Sequence, residues 1–341
     1  MSHRMLAAVS ITTLLLCAGK LCAGPLNPPA GAVGGSMKTL SEVEARTAIN
    51  AANTPGDADA TPSVYKITQP GSYYLTGNVQ GSPGKIGIEI ALGVLDGSVT
   101  IDLNGFELVG GAGSASGAQV TLFGSPRVAV KNGTVRNWGG HGLDLTSGRS
   151  VTVEGVRALK NGGNGLNVTG RVDGCVASEN AGKGVVLGAG SVAAGCEVVN
   201  NGAEGVLTFD NCTVKGCRVT DNVGAGISAA WACAVTDNSV SENNGDGIRM
   251  QARGTVERNL VTYALTQGTA AIRVVGGGCH VSDNRVNSAQ TGIDVDGTLN
   301  VVVRNTVGGT SFPITAVAGN SVGPMVDNPA ASTNPHANIT P

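Results

Sequence analysis

A Gly followed by Leu, Val or Ile recurs along this chain at Gly142, Gly165, Gly184, Gly205, Gly226, Gly247 and Gly292, with Ala271 and Pro313 in the same slot, mostly about twenty-one residues apart. A fixed period of this length is the mark of a solenoid, in which each repeat buries its apolar face only against its neighbours. Each start opens a short alternating segment, such as Leu143/Leu145, Leu166/Val168, Ile227/Ala229, Ile248/Met250 and Ile293/Val295. Period two means a strand with one face inward. A second pair follows in each coil (Val151/Val153, Cys212/Val214, Cys233/Val235, Cys279/Val281, Val301/Val303), and then a third inward position at Val219, Val240, Val261, Val286 and Val307. Three short strands per coil predict an all-β, single-stranded parallel β-helix with three sheets.

The bend between the second and third strands gives the sharpest alignment. In successive coils one inward position reads Val156, Cys175, Cys196, Cys217, Asn238, Asn259, Asn284 and Asn305. Inward Asn side chains stacked one strand spacing apart, about 4.8 Å, can bond each other and the backbone. The preceding residue is Gly155, Gly174, Gly195 and Gly216, then Asp237, Arg258, Asp283 and Arg304. A left-handed backbone at that place suits Gly best and Asp next, so Arg258 and Arg304 fit it less well. A second Asn row (Asn161, Asn180, Asn201, Asn222, Asn243) marks the corner leading into the first strand.

Composition agrees with a narrow layered core: 53 Gly, 3% aromatic and 13% charged residues. The net charge of -2 excludes a general attraction to nucleic acid. Residues 1–23 read as a signal peptide, with His3 and Arg4 before an apolar stretch and cleavage after Ala23. The expectation is a secreted, periplasmic or cell-envelope protein with no transmembrane segment after cleavage. Residues 24–64 read as a linker and N-terminal cap, with a short helix beginning between Thr39 and Glu44. Residues 65–325 read as the solenoid, and 326–341 as a C-terminal cap. Tyr65 to Val79 is expected to form two strands around Pro70-Gly71, as a lid on the first coil. Six cysteines remain after cleavage. Their spacing follows the repeat, so free buried thiols are expected, with Cys212–Cys233 the pair best placed to bridge.

The asparagine ladder, the Gly-Ile coil starts and the segment Val99–Leu108 (VTIDLNGFEL) resemble the pectate-lyase-like right-handed β-helix superfamily. GPLNPPAGAV, YKITQPGSYYLTGNV and TNPHANIT resemble, more narrowly, a group of secreted bacterial β-helix repeat proteins with no assigned function. The resemblance implies right-handed coils and a substrate path along the outward face of the first sheet. That face reads Glu89, Gln119, Asp144, Asn167, Val186, Leu207, Ser228, Arg249, Arg273 and Asp294. The resemblance also implies what catalysis would need: carboxylates holding calcium with an Arg or Lys base in lyases, or clustered Asp in hydrolases. No catalytic residue is assigned, because neither pattern is present.

Two readings follow. The preferred one is a non-catalytic exported β-helix that binds glycan or serves as a surface or envelope element. Its candidate ligand residues are Arg249, Arg273, Asp246 and Asp294, with Phe209 and Trp231 as a stacking platform, and its expected partner is an acidic polysaccharide or cell-surface glycan. The alternative is a polysaccharide lyase or related carbohydrate-active enzyme using the same charged residues. A copper-maturation role is disfavoured by few His and Met. No cofactor or metal is expected beyond weak calcium at Glu179, Asp221 and Glu242, which read better as solvated turn carboxylates.

Overall fold

The computed structural model describes residues 44–341 except 58, 60–61, 94–96, 122–125, 265–268, 288–289, 329 and 331. The expected signal peptide, the expected linker and nearly all of the expected helix at Thr39–Glu44 therefore lie outside the described residues. From Arg46 onward the chain is an all-β parallel solenoid of about twelve right-handed coils, with about twenty-one residues per coil. Its first sheet has twelve strands, from Ser63–Ile67 to Phe312–Ala316. The second and third sheets are joined as one 24-stranded sheet folded along the ladder. The join arises because some strands run through the bend unbroken, as in Arg127–Arg136 and Ser150–Leu159.

One backbone device recurs at the corners. At the bend, Gly155, Gly174, Gly195, Gly216, Asp237, Arg258, Asp283 and Arg304 all take positive φ, between 55° and 61°. So do Lys160, Glu179, Asn200, Asp221 and Glu242 before the second Asn row, and Asn211, Ala232, Arg253, Gly278 and Leu299 at the corner after the first sheet. A single left-handed residue reverses the pleat, so the next side chain points into the core. Non-glycine residues there cost roughly 1–2 kcal/mol each, and the structure offsets this where the sequence looked least suited. Arg258 grips Asp237 of the preceding coil through Nε (2.8 Å) and Nη2 (3.2 Å), and Arg304 grips Asp283 likewise (2.8 and 2.7 Å).

The ladder is buried throughout, from Val156 to Asn305. Asn238, Asn259, Asn284 and Asn305 each donate Nδ2–H to the Oδ1 of the next rung at 3.0–3.1 Å, and each donates its backbone N–H to the same oxygen. The last acceptor is Asn338, so the C-terminal tail supplies a further rung. The second row repeats this pattern at 2.9 Å from Asn161 to Asn243. Ahead of it, Trp138 donates its backbone N–H to Asn161 Oδ1 (3.1 Å) and buries its indole. Room for that ring comes from Gly81 and Gly87, where a Cβ would lie under 3 Å from it.

Two expectations need correction. Ser63–Ile67 and Gly71–Leu75 do form strands, but they pair in parallel with Ile86–Ile90 and Ser98–Asp102 and so constitute a regular coil, not a lid. At the other end, Val281 aligns with Val302, and the inward pair is Asn300 and Val302 in place of Val301 and Val303. Asn300 Oδ1 accepts the Cys279 N–H at 2.7 Å, a polar contact that fixes the register. All six cysteines are buried and free, Cys212 and Cys233 included. Burial pushes the Cys175 thiol up to about 12 and raises that of Cys279.

Candidate functional site

The outward file of the first sheet lies in unbroken register. Glu89, Gln119, Asp144, Asn167, Val186, Leu207, Ser228, Arg249, Arg273 and Asp294 pair coil to coil, and Thr315 follows. Parallel pairing holds each outward side chain over its neighbour, so charges placed on consecutive coils must interact.

They do so as a closed ion-pair cluster. Arg273 reaches Asp246 (3.2 Å), Asp294 (3.0 Å) and Asp296 (3.0 Å), and Arg249 reaches Asp246 at 3.4 Å. Asp246 is buried and also accepts the Ala270 backbone N–H at 2.9 Å. Burial opposes the charge on Arg273, but Asp246, Asp296 and Asp294 more than offset it and hold the guanidinium above its ordinary value. Thr315 Oγ1 donates to Asp294. All four charged residues singled out in the sequence thus come together, with Asp296 as a fifth. Three carboxylates face two guanidinium groups, so the cluster carries no positive excess. Arg249 is the more open of the two arginines, with 40% of its side chain exposed.

Phe209 and Trp231 are both exposed on neighbouring coils. They are not stacked in register, because the Trp231 backbone N–H bonds Asp210 Oδ1 (3.2 Å) and its carbonyl takes the Asn211 N–H. Arg253 covers the indole at 5.1 Å from its centroid. His141 is a corner residue, its Nδ1 accepting the Asn164 backbone N–H at 2.9 Å.

Among the described residues one carboxylate group, Asp57, Asp59 and Glu89, is close enough to hold an ion. Lys66 Nζ already lies between them, at 2.5, 2.8 and 3.3 Å, and Asp57 and Asp59 raise its pKa well above the usual lysine value. Glu179, of the turn carboxylates, pairs with Lys160 at 3.5 Å. No described helix is long and apolar enough to cross a membrane.

A cleft that the sequence did not announce lies on the second sheet near the C-terminal end. It measures about 420 Å³ and is lined by His280, Val301, Arg304 and Ser321 and by the tail residues Asn334 and His336, among others. His280, Val301 and Ser321 stand on consecutive coils, and the tail is pinned beside them by the Asn338 rung.

The sequence profile of the family described as right-handed beta helix region matches residues 89–234 and 194–312, together more than half of the chain. The chain belongs to the right-handed β-helix family. Among solved structures this β-helix protein is similar to the A-module of the Azotobacter vinelandii mannuronan C-5 epimerase AlgE4, at 14% identity over 75% of this chain and 91% of that one, with a TM-score of 0.53. The A-module of AlgE6 from the same organism gives 14%, 80%, 90% and 0.53. Pectate lyase Pel9A gives 15% identity over 74% and 70% of the two chains, with a TM-score of 0.39. At these identities the likeness concerns the fold. No curated protein sequence matches the chain.

Proposed function

We propose that this chain is an exported, non-catalytic β-helix that binds a glycan along the outward face of its first sheet. The fold it shares with the A-modules of two mannuronan C-5 epimerases supports carbohydrate as the ligand class. The observation that carries the non-catalytic reading is the commitment of the charged cluster to itself. Asp246 is buried beneath two arginines, and Arg273 is shared by three carboxylates. A general base must reach a proton on the substrate, whereas Asp246 is buried and already accepts from Ala270, Arg249 and Arg273, and the charge of Arg273 is answered by three carboxylates. Arg249 engages Asp246 through one of five N–H donors, which leaves a hydrogen-bonding arm beside Ser228 for sugar oxygens.

A glycan array on the secreted protein tests this reading. Binding that weakens at least fivefold in Arg249→Ala, with no unsaturated uronate released from pectin or alginate, is the expected result. Release of unsaturated product by the wild type and not by Arg273→Ala would establish the lyase alternative. N-terminal sequencing of the secreted chain should begin at Gly24.

A further inference from the structure

A cleft lined by basic and apolar side chains lies away from the first sheet, between the second sheet and the C-terminal tail. We propose that this cleft binds a carboxylate-bearing sugar ring, a uronate. Its volume of about 420 Å³ falls at the small-ligand end of the usual pocket range, roughly 300–1,000 Å³.

The lining divides into two kinds of surface. Val301, Val303, Val322 and Pro324 give an apolar floor that a sugar ring can lie on, while His280, Arg304, His336, Ser321 and Asn334 supply polar groups around it. Every titratable group among these is a base. Among the described residues no carboxylate lines this cleft or the smaller one of about 220 Å³ beside it, which shares Arg304 and Asn334. Arg304 is paired with Asp283, yet that pairing uses two of its five N–H donors and fixes the guanidinium plane at the cleft wall. Around Arg249 and Arg273 each guanidinium is met by carboxylates in the cluster itself. Here Arg304 meets the one carboxylate of Asp283, and His280 and His336 add two further bases to the lining. The Ser321 hydroxyl and the Asn334 amide add hydrogen-bonding groups to the rim, which suit a hydroxylated ring better than a bare aromatic acid.

This proposal stands independently of the first-sheet reading. Calorimetric titration of the full mature chain with D-galacturonate and D-glucuronate, against galactose, glucose and benzoate, tests it. Expected are binding of a uronate, none of the neutral sugars, and weakening by added salt. The double variant His280→Gln/His336→Gln should lose at least tenfold in affinity, and Arg171→Gln, a charge removed elsewhere on the second sheet, should lose none. Ser321→Trp, which fills the cleft from an exposed position, should abolish binding while its unfolding midpoint stays at the wild-type value. No uronate binding at millimolar concentration would overturn the proposal. So would equal binding of neutral sugars, a preference for benzoate, or uronate binding that survives Ser321→Trp.

Discussion

The two halves of the bend column solve one packing problem with different chemistry. From Val156 to Cys217 the inward residue is apolar and the residue before it is Gly, whereas from Asn238 to Asn305 the inward residue is an amide and the residue before it is Asp or Arg. Both halves are equally buried, and both turn through the same left-handed backbone near 55–61°. The backbone device is therefore the invariant. Side-chain chemistry varies as long as each buried polar group is answered. In the Asn half Oδ1 of Asn259, Asn284 and Asn305 takes two N–H donors, Oδ1 of Asn238 takes the Cys217 N–H, and every Nδ2 also serves a valine carbonyl, such as Val235 from Asn259 at 2.9 Å. In the Cys half the thiols make weak contacts to carbonyls, such as Cys175 to Asp173 at 3.3 Å.

The largest contrast should appear in thiol labelling. All six thiols are buried and burial pushes that of Cys175 up to about 12, so a thiol reagent at about pH 8 should leave the folded chain almost unlabelled, since thiolate is the reactive form. Cys233, whose pKa is lowered by its hydrogen bond with Cys212, should be the first to react. Six thiols per mature chain should react after denaturation, and two or fewer would mean bridged cysteines. In stability, Asn259→Leu should cost roughly 1–3 kcal/mol, because the Cys217-side neighbour Asn238 and the next rung Asn284 both lose partners. Cys196→Val, a change of shape without stranded polar groups, should cost under ~1.5 kcal/mol. Equal costs by urea unfolding would erase the distinction between the halves.

A smaller effect concerns the turn residue. An added Cβ at Gly195 meets nothing within 4 Å, so Gly195→Ala tests the left-handed backbone alone. A cost of about 1 kcal/mol is expected, with Gly195→Asn milder. In the other half Arg258→Gly removes that backbone cost and the Asp237 pair together, and should leave the midpoint nearly unchanged.

These elements differ in how far they could be read from sequence. The coil period, the outward file and the bend column were legible because the same inward or outward demand recurs in every coil. Register slipped at Val301–Val303 because three consecutive valines carry no alternation, and the choice is made by Leu299 in the left-handed region and Asn300 beneath Cys279. The charged cluster was legible as a set, since parallel register dictates which coils meet. Its balance of charge was legible with it, from Asp246 and Asp294 beside the two arginines, whereas the burial of Asp246 beneath them was not. The Asn338 rung and the cleft beside it depend on the tail folding back onto earlier coils, a contact that no local pattern encodes.

The smallest expected effect separates the halves by pH. Arg258 and Arg304 hold the carboxyls of Asp237 and Asp283 below the usual aspartate value. A carboxylate whose folded pKa is depressed stabilises the fold fully above the unfolded value, about 3.9, and the contribution is lost as pH falls through the lower folded value. The residues at the equivalent turn positions in the other half are Gly155, Gly174, Gly195 and Gly216, which cannot titrate. Both Asp–Arg clips are well exposed, so solvent screening keeps the contribution of each small despite its bidentate geometry. The double variant Arg258→Gln/Arg304→Gln should therefore unfold slightly earlier than wild type at about pH 6, and the gap should close near pH 2 as the aspartates protonate. Raising the salt to about 1 M at the higher pH should narrow the same gap, because exposed charges are screened within ~3 Å there. A gap unchanged by acid and by salt would mean that the arginine stems, packed along the bend, stabilise these corners and that the charges do not.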